Sequence, residues 1–244
     1  MAETLIVNAI VLRSVNYRDF DRMVTLFSLE HGKIAVGARG AHRQKSAFAA
    51  ATTQFCTGQY ALEEKNGKYS MRSFLADEAF YALREQPDRL SFAMGMAALC
   101  EELVQPMQPN EMLYALLLQA LTYLCYDGGV KPENIAVPFL MRAMRICGHE
   151  VMLSRCATCG GRIVDARFDA AAGGAVCALH ASPMCPVLTR EDADAMLKAD
   201  KGEFAPAAGG MAKPFYLLLA FVTAQLEREF APFEMALQLS SPDA

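Results

Sequence analysis

Three thiols and an imidazole stand in two close pairs within CATCGGRIVDARFDAAAGGAVCALH, residues 156–180. Zn2+ favours four tetrahedral nitrogen or sulfur ligands, and a Cys-x-x-Cys turn delivers two of them from one tight loop. Cys156 and Cys159 form the first pair, seventeen residues follow, and Cys177 and His180 repeat the spacing. This is a paired-knuckle pattern with one thiolate replaced by imidazole. Gly160, Gly161, Gly173 and Gly174 lie where the chain must turn. The competing readings are a loop of free thiols and a redox pair, but the redox pair needs a βαβ context that the flanking residues do not supply. Four protein ligands close the coordination shell, whereas a catalytic ion keeps a position open for water, so the expected ion is one structural Zn2+ per chain. Cys185, five residues past His180, is an alternative fourth ligand.

The elements that carry this knot change character along the chain. Residues 5–15, 22–29, 33–40, 53–64 and 68–80 are short β-rich segments with partial alternation. His31-Gly32 and Asn66-Gly67 mark turns between them, the second being a strong type I′ hairpin signal. Five short strands in about 80 residues fit an OB-fold or an SH3-like barrel, and the pattern does not choose. Beyond residue 80 the period is helical: 88–104, 110–127 and 133–148, then 188–200 and 213–230. Asp88 and Asn110 are placed as N-caps, Gly128 and Gly148 as terminators, and Thr189 with Asp192 resembles a capping box. Pro138 should kink the third helix or mark its start. The SPDA end is expected to fray. The organisation read from this is a barrel over 1–80 and a helical domain over 81–238 with a metal-binding insertion at about 152–186.

Composition narrows the setting. Of the 244 residues, 53% are hydrophobic and 20% charged, a globular balance in a chain long enough to bury its own core. The longest apolar runs, such as FYLLLAFV at 215–222, fall well short of the roughly 20 residues of a spanning helix. No basic region precedes the first apolar stretch, so a secretory signal is not expected and the expected address is the cytoplasm. Cys56, Cys100, Cys125 and Cys147 sit singly among apolar neighbours, as small buried hydrophobes do. The formal net charge is -4. It is uneven: residues 1–80 carry +2 and the remainder -6, so an anionic partner should meet the N-terminal part.

The cations of that part concentrate in SVNYRDFDRMVTLFSLEHGKIAVGARGAHRQKSAFAA, residues 14–50. Between positions 13 and 45, Arg13, Arg18, Arg22, Lys33, Arg39, Arg43 and Lys45 face only three acidic residues. A glycine-containing loop with hydroxyl and cationic groups, GARGAHRQKS, can approach phosphates closely. A plain solvated basic loop is the bland alternative. The Walker order is missing.

Taken with its flanks, this stretch resembles the RecO family of bacterial recombination mediators. The resemblance rests on VLRSVNYRDFDRMVTLFSLEHGKIAVGARGAHRQKS, a hairpin, a helical region, ICGHEVMLSRCATCGG and GGAVC, and it runs from about residue 5 to 230. It implies an α+β protein: an N-terminal five-stranded OB-fold β-barrel, then an α-helical domain carrying a small zinc-binding insertion. It implies binding to single- and double-stranded DNA, annealing of complementary strands, and work with RecR and single-stranded-DNA-binding protein to load RecA, without enzymatic turnover. His180 departs from the family, whose members commonly place a fourth cysteine there.

Annealing needs no bond chemistry. It needs two strands brought together with their repulsion screened and their bases free to pair. About five neutralised phosphates would give a salt slope near -3.5 on single strands. Tyr17, Phe20, Phe48 and Phe55 are candidates to stack bases, with Phe55 the most strand-like and core-like. Apolar surface on the 213–230 helix could take the acidic-hydrophobic tail of single-stranded-DNA-binding protein, with Arg142, Arg145 and Lys213 as weak candidates for its terminal carboxylate. A zinc-dependent hydrolase or nucleic-acid-modifying enzyme and an RNA-binding OB accessory protein are the alternatives. Metal-dependent turnover and competition between RNA and DNA would reveal them.

Overall fold

Alternation along the first strand sets the architecture. Leu5, Val7, Ala9 and Val11 point one way from β1 (Glu3–Tyr17) and join a buried cluster with Val24, Leu26, Ile34, Val36, Tyr60 and Leu62. In the computed structural model, which describes residues 3–202, 204 and 211–240, five strands close around that cluster in the order β1-β2-β3-β5-β4. The others are β2 (Asp21–Ser28), β3 (Gly32–Ala38), β4 (Thr57–Lys65) and β5 (Lys68–Glu78). β1 is long enough to serve two partners. Its N-terminal half pairs with β4 and its C-terminal half with β2, with a register shift between Val11 and Arg13. Closure comes from a short parallel pairing, Val36 to Tyr69 and Gly37 to Ser70, between β3 and β5. That pairing makes the barrel an OB-fold and settles the choice that alternation left open.

Asn66 and Gly67 adopt φ of 55° and 71° between paired Lys65 and Lys68, the left-handed turn that the Asn-Gly pair favours. The segment before β4 differs from expectation. Residues 53–56 are not strand; a short 3-10 turn at Ala50–Thr52 leads to Phe55 at φ 71°. The Phe55 amide donates to the Val11 carbonyl at 2.9 Å, and the Val11 amide donates to the Cys56 carbonyl at 3.0 Å. This segment lies against β1 at Val11, next to the Ile10–Thr57 pair, as an irregular step and not as regular β4 strand. The Tyr60 hydroxyl, buried inside the barrel, donates to the Ala51 carbonyl at 3.1 Å.

The chain divides into two compact units, Met1–Glu85 with Ala97–Thr122, and Gln86–Met96 with Tyr123–Ala244. Six α-helices are found among the described residues: α1 (Pro87–Leu103), α2 (Glu111–Tyr126), α3 (Pro132–Ile146), α4 (Arg190–Lys201), α5 (Ala212–Leu226) and α6 (Ala231–Ser240). Asn110 caps α2 through its side-chain oxygen, which accepts from the Leu113 amide at 3.1 Å. Thr189 and Asp192 form a reciprocal capping box on α4. Gly148, at φ 88°, ends α3, with the His149 amide donating back to the Met144 carbonyl at 2.8 Å. Pro138 neither starts nor ends α3, which begins at Pro132 and carries Pro138 buried in its interior. The 213–230 helix is shorter than its pattern. It stops at Leu226 because Glu227 turns left-handed at φ 50°, and Pro232 then lies in the first turn of α6.

In the second unit the core is aromatic. Phe215 packs its ring 4.9 Å from that of Phe92 and 5.6 Å from that of Phe233. Gly95 faces the Phe233 ring so closely that a β-carbon would overlap it. The buried Arg89 guanidinium donates to the carbonyls of Leu124, at 3.0 Å, and of Val130. Among the described residues no helix is long and apolar enough to cross a membrane. The SPDA end lies outside the described residues.

Candidate metal centre and nucleic-acid interface

Two small knuckles build the metal centre. In the first, the Gly160 amide donates to the Cys156 carbonyl at 2.8 Å and the Cys156 amide to the Gly161 carbonyl at 3.0 Å, with Gly160 at φ 69°. In the second, the amides of His180 and Ala181 both donate to the Cys177 carbonyl, at 2.9 and 3.0 Å. A two-stranded sheet, β6 (Arg167–Asp169) and β7 (Gly174–Val176), joins them. Gly174 has no room for a β-carbon because the Met152 backbone crosses it.

The ligand atoms of Cys156, Cys159, Cys177 and His180 lie within 4.8 Å of one another. His180 turns Nδ1 to the sulfurs, 3.2 Å from Cys177 and 3.9 Å from Cys156. A tetrahedral ion with sulfur at ~2.3 Å and nitrogen at ~2.0 Å holds the two about 3.5 Å apart, so the donors fit one ion. Electrostatics favour it too. The Cys177 amide aims at the Cys156 sulfur from 3.4 Å and, against the opposing effect of burial, brings that thiol down to about 6. The Gly161 amide pulls the Cys159 thiol down, but the neighbouring Cys156 and Cys177 sulfurs outweigh it and raise that thiol overall. One thiolate forms readily and repels the next, a conflict that a cation resolves. The group can hold a metal ion, and Cys185 is not part of it.

The barrel's cations divide into engaged and unengaged. Lys33 Nζ donates to the Glu101 carbonyl. Arg13 is exposed but lies 3.7 Å from the Glu101 carboxylate. Arg22 donates to the Thr52 hydroxyl at 3.0 Å and lies 3.4 Å from His42 Nδ1. The side chains of Arg18, Arg39, Arg43 and Lys45 are exposed and make no hydrogen bond or ion pair to a described residue. Two hydrogen-bonded clamps bring most of them to one rim. The Gly40 amide donates to Asp21 Oδ1 at 2.8 Å, and the His42 amide to the Phe20 carbonyl at 2.9 Å. These tie the loop after β3 to the β1–β2 hairpin tip. The Arg43 guanidinium lies 5.2 Å over the Phe20 ring, and Arg18 lies 5.1 Å over Tyr17.

The aromatic candidates separate cleanly. Tyr17 and Phe20 are 47% and 51% exposed, Phe48 packs partly buried against the barrel core, and Phe55 is 1% exposed. Lys65 and Lys68, both exposed on the β4–β5 tip, lie outside the basic stretch of residues 13–45, and the Asn-Gly turn they flank is the signal that places them together. The sequence pattern does not single out Asp21, the carboxylate that fastens the basic loop.

The three cations assigned to a partner's carboxylate all have intramolecular partners. Arg142 donates to the Asp200 carbonyl at 3.1 Å, to that of Ala199 at 2.9 Å and to that of Gly202, and stacks over Phe204. Burial pulls the Arg142 pKa down, with Asp200 opposing. Arg145 pairs with Asp200, and Lys213 with Asp192. Burial raises the Asp192 carboxyl, but the bonds from Lys213 and Thr189 outweigh it and hold the group below its usual range.

A closed OB barrel followed by helices, with a three-cysteine, one-histidine centre among them, is an architecture suited to holding nucleic acid. The family model for "Recombination protein O N terminal" matches residues 1–75, and that for "Recombination protein O C terminal" matches 84–228. The chain is 32% identical to DNA repair protein RecO of Anaeromyxobacter sp. (strain K) over 91% of each chain. It is 36% identical to DNA repair protein RecO of Myxococcus xanthus (strain DK1622) over 70% of each. This chain belongs to the RecO family of DNA repair proteins.

Proposed function

We propose that this protein is a non-enzymatic DNA mediator: it binds single- and double-stranded DNA at the barrel rim, anneals complementary strands and, with RecR, helps load RecA onto DNA coated by single-stranded-DNA-binding protein. What carries the reading is the clamped rim, where the side chains of Arg18, Arg39 and Arg43, with Lys45 on the same loop, make no hydrogen bond or ion pair to a described residue, and Arg18 and Arg43 lie over two exposed rings that a base can share. Guanidinium groups neutralise phosphate and say nothing of sequence, which suits a protein that must accept any strand. Exposed rings offer stacking at roughly 1–3 kcal/mol per base without base readout. Arg13, Arg22 and Lys33, engaged within the protein, would contribute by orienting the rim. With about four phosphates neutralised at the rim instead of five, the rim's share of the single-strand salt slope becomes about -2.8.

The metal in this reading is Zn2+, held by Cys156, Cys159, Cys177 and His180; when bound it acts as a four-coordinate staple with no position open to substrate. Cys156 and Cys159 close one knuckle, Cys177 and His180 the other, and the Cys177 amide prepares the Cys156 thiolate. A partner tail reaching the start of α5 would meet Lys213 already paired with Asp192, so docking there would exchange one carboxylate for another. The protein works in the cytoplasm on nucleoid DNA.

The test is annealing of complementary fluorescent oligonucleotides by purified protein without nucleotide. Reversing Arg39, Arg43 and Lys45 to Glu should slow annealing at least tenfold, in line with the range of electrostatic effects on association. An unchanged rate removes the rim as the site.

A further inference from the structure

Annealing handles two polyanions, and the rim accounts for one. Across the rest of the chain the net charge disfavours DNA, and one segment departs from that. Residues 152–186 carry three arginines against two aspartates, whereas the rest of 81–244 carries ten cations against seventeen acids, giving +1 against -7. From residue 86 to 240 there are eight arginines. Arg89, Arg142 and Arg167 donate to backbone carbonyls, Arg145 and Arg190 face Asp200 and Asp194, and Arg228 lies over Phe230. Arg155 and Arg162 are exposed and make no hydrogen bond or ion pair to a described residue.

These two arginines are placed together by the metal knuckle. The bond from the Cys156 amide to the Gly161 carbonyl closes the loop one residue inside each of them, so Arg155 enters it and Arg162 leaves it side by side. Cys156 Sγ lies 3.9 Å from His180 Nδ1, which brings the second knuckle against the first. There Leu179, next to His180, is 92% exposed, and Met184 on the following loop is 90% exposed. Large apolar side chains left so open, beside uncommitted cations, are what a surface made for stacked or splayed bases requires.

We propose that the metal module is a second nucleic-acid contact: Arg155 and Arg162 bind the phosphate backbone of a single strand, with Leu179 and Met184 against its bases. The planar forks suit phosphate oxygens, and the surrounding negative charge confines the strand to the module. This rests on the reading of the protein as a DNA-annealing mediator, in which the module takes the second strand.

The test uses full-length, zinc-loaded protein and a single-stranded oligonucleotide carrying 4-thiothymidine, with cross-linked peptides mapped by mass spectrometry and binding followed against salt. Cross-links should fall within residues 152–186, vanish in R155E/R162E and persist in K198E/K201E, which makes the same charge change on α4. The salt slope of R155E/R162E should be shallower by about 1.4, two contacts at ~0.7 each. If R155E/R162E releases zinc, R155A/R162A replaces it under the same criteria, since it adds no carboxylates beside the thiolates. Cross-links confined to the barrel, or an unchanged slope, overturn the proposal while leaving DNA binding by the rim intact. A protein that binds no DNA at all fails the wider reading instead.

Discussion

Arg142 separates a structural role from a docking role. Its guanidinium holds three carbonyls at the C-terminal end of α4, those of Ala199, Asp200 and Gly202, and covers the Phe204 ring at 5.3 Å. A hydrogen bond from a charged donor contributes about 1.5–3 kcal/mol net. Bonds sharing one guanidinium are not additive, and carbonyls at a half-exposed helix end can turn to water once released. Arg142→Ala should therefore cost about 3 kcal/mol, including ~0.5 for the ring contact. Arg142→Lys keeps a charge but not the fork, and should cost about half as much. With a urea dependence of ~2 kcal/mol/M, the Ala variant should unfold at about 1.5 M less urea. Hydrogen exchange should show lost protection at the C-terminal turn of α4 before any other helix. Unchanged stability, with binding of an acidic peptide tail abolished, would refute this reasoning and restore Arg142 to the partner surface.

Other consequences are equally direct. Gly95→Val sets side-chain atoms against the Phe233 ring and should destabilise the second unit by about 3 kcal/mol, an overpacking cost measurable by urea denaturation. Cys156→Ser should release the metal, measured by chelator-dye titration, and unfold the 152–186 segment while the barrel's circular dichroism stays near wild type; single-strand binding should keep the rim's share of its salt slope and lose the module's. At Glu30, burial raises the carboxyl, but bonds from Asn8 and Ser28 outweigh it and lower the group below 4.5. Its contribution is therefore present above about pH 4.5 and lost as pH falls through the lowered folded value. Glu30→Gln should flatten that part of the acid limb in a stability-against-pH series; an unaltered limb would show the bonds to be idle.

Much of this was legible because local rules decided it. Cysteine spacing named the ligand group, since a knuckle is a local turn and needs no tertiary context. Asn66-Gly67 set the β4–β5 register, and Thr189 with Asp192 set the start of α4. What stayed hidden was decided at a distance. Nothing near Phe55 signals the left-handed residue that breaks the strand before β4, and nothing near Glu227 outweighs the helical pattern that runs past it. OB topology hangs on two parallel residue pairs between β3 and β5, which alternation cannot express. Charge content located the basic region, but which cations are free depended on partners far along the chain: Glu101 engages both Arg13 and Lys33, and the 199–202 carbonyls engage Arg142.

The claim on which the account rests is that free cations on the barrel rim grip the DNA backbone, and salt-dependent binding to single- and double-stranded oligonucleotides tests it most directly. The rim should contribute about -2.8 to the wild-type single-strand slope, and R18E/R39E/R43E should make the slope shallower by about 2.1, three contacts at ~0.7 each, with affinity lost for every sequence alike. A slope unchanged in that variant would place the polyanion site elsewhere and contradict the account.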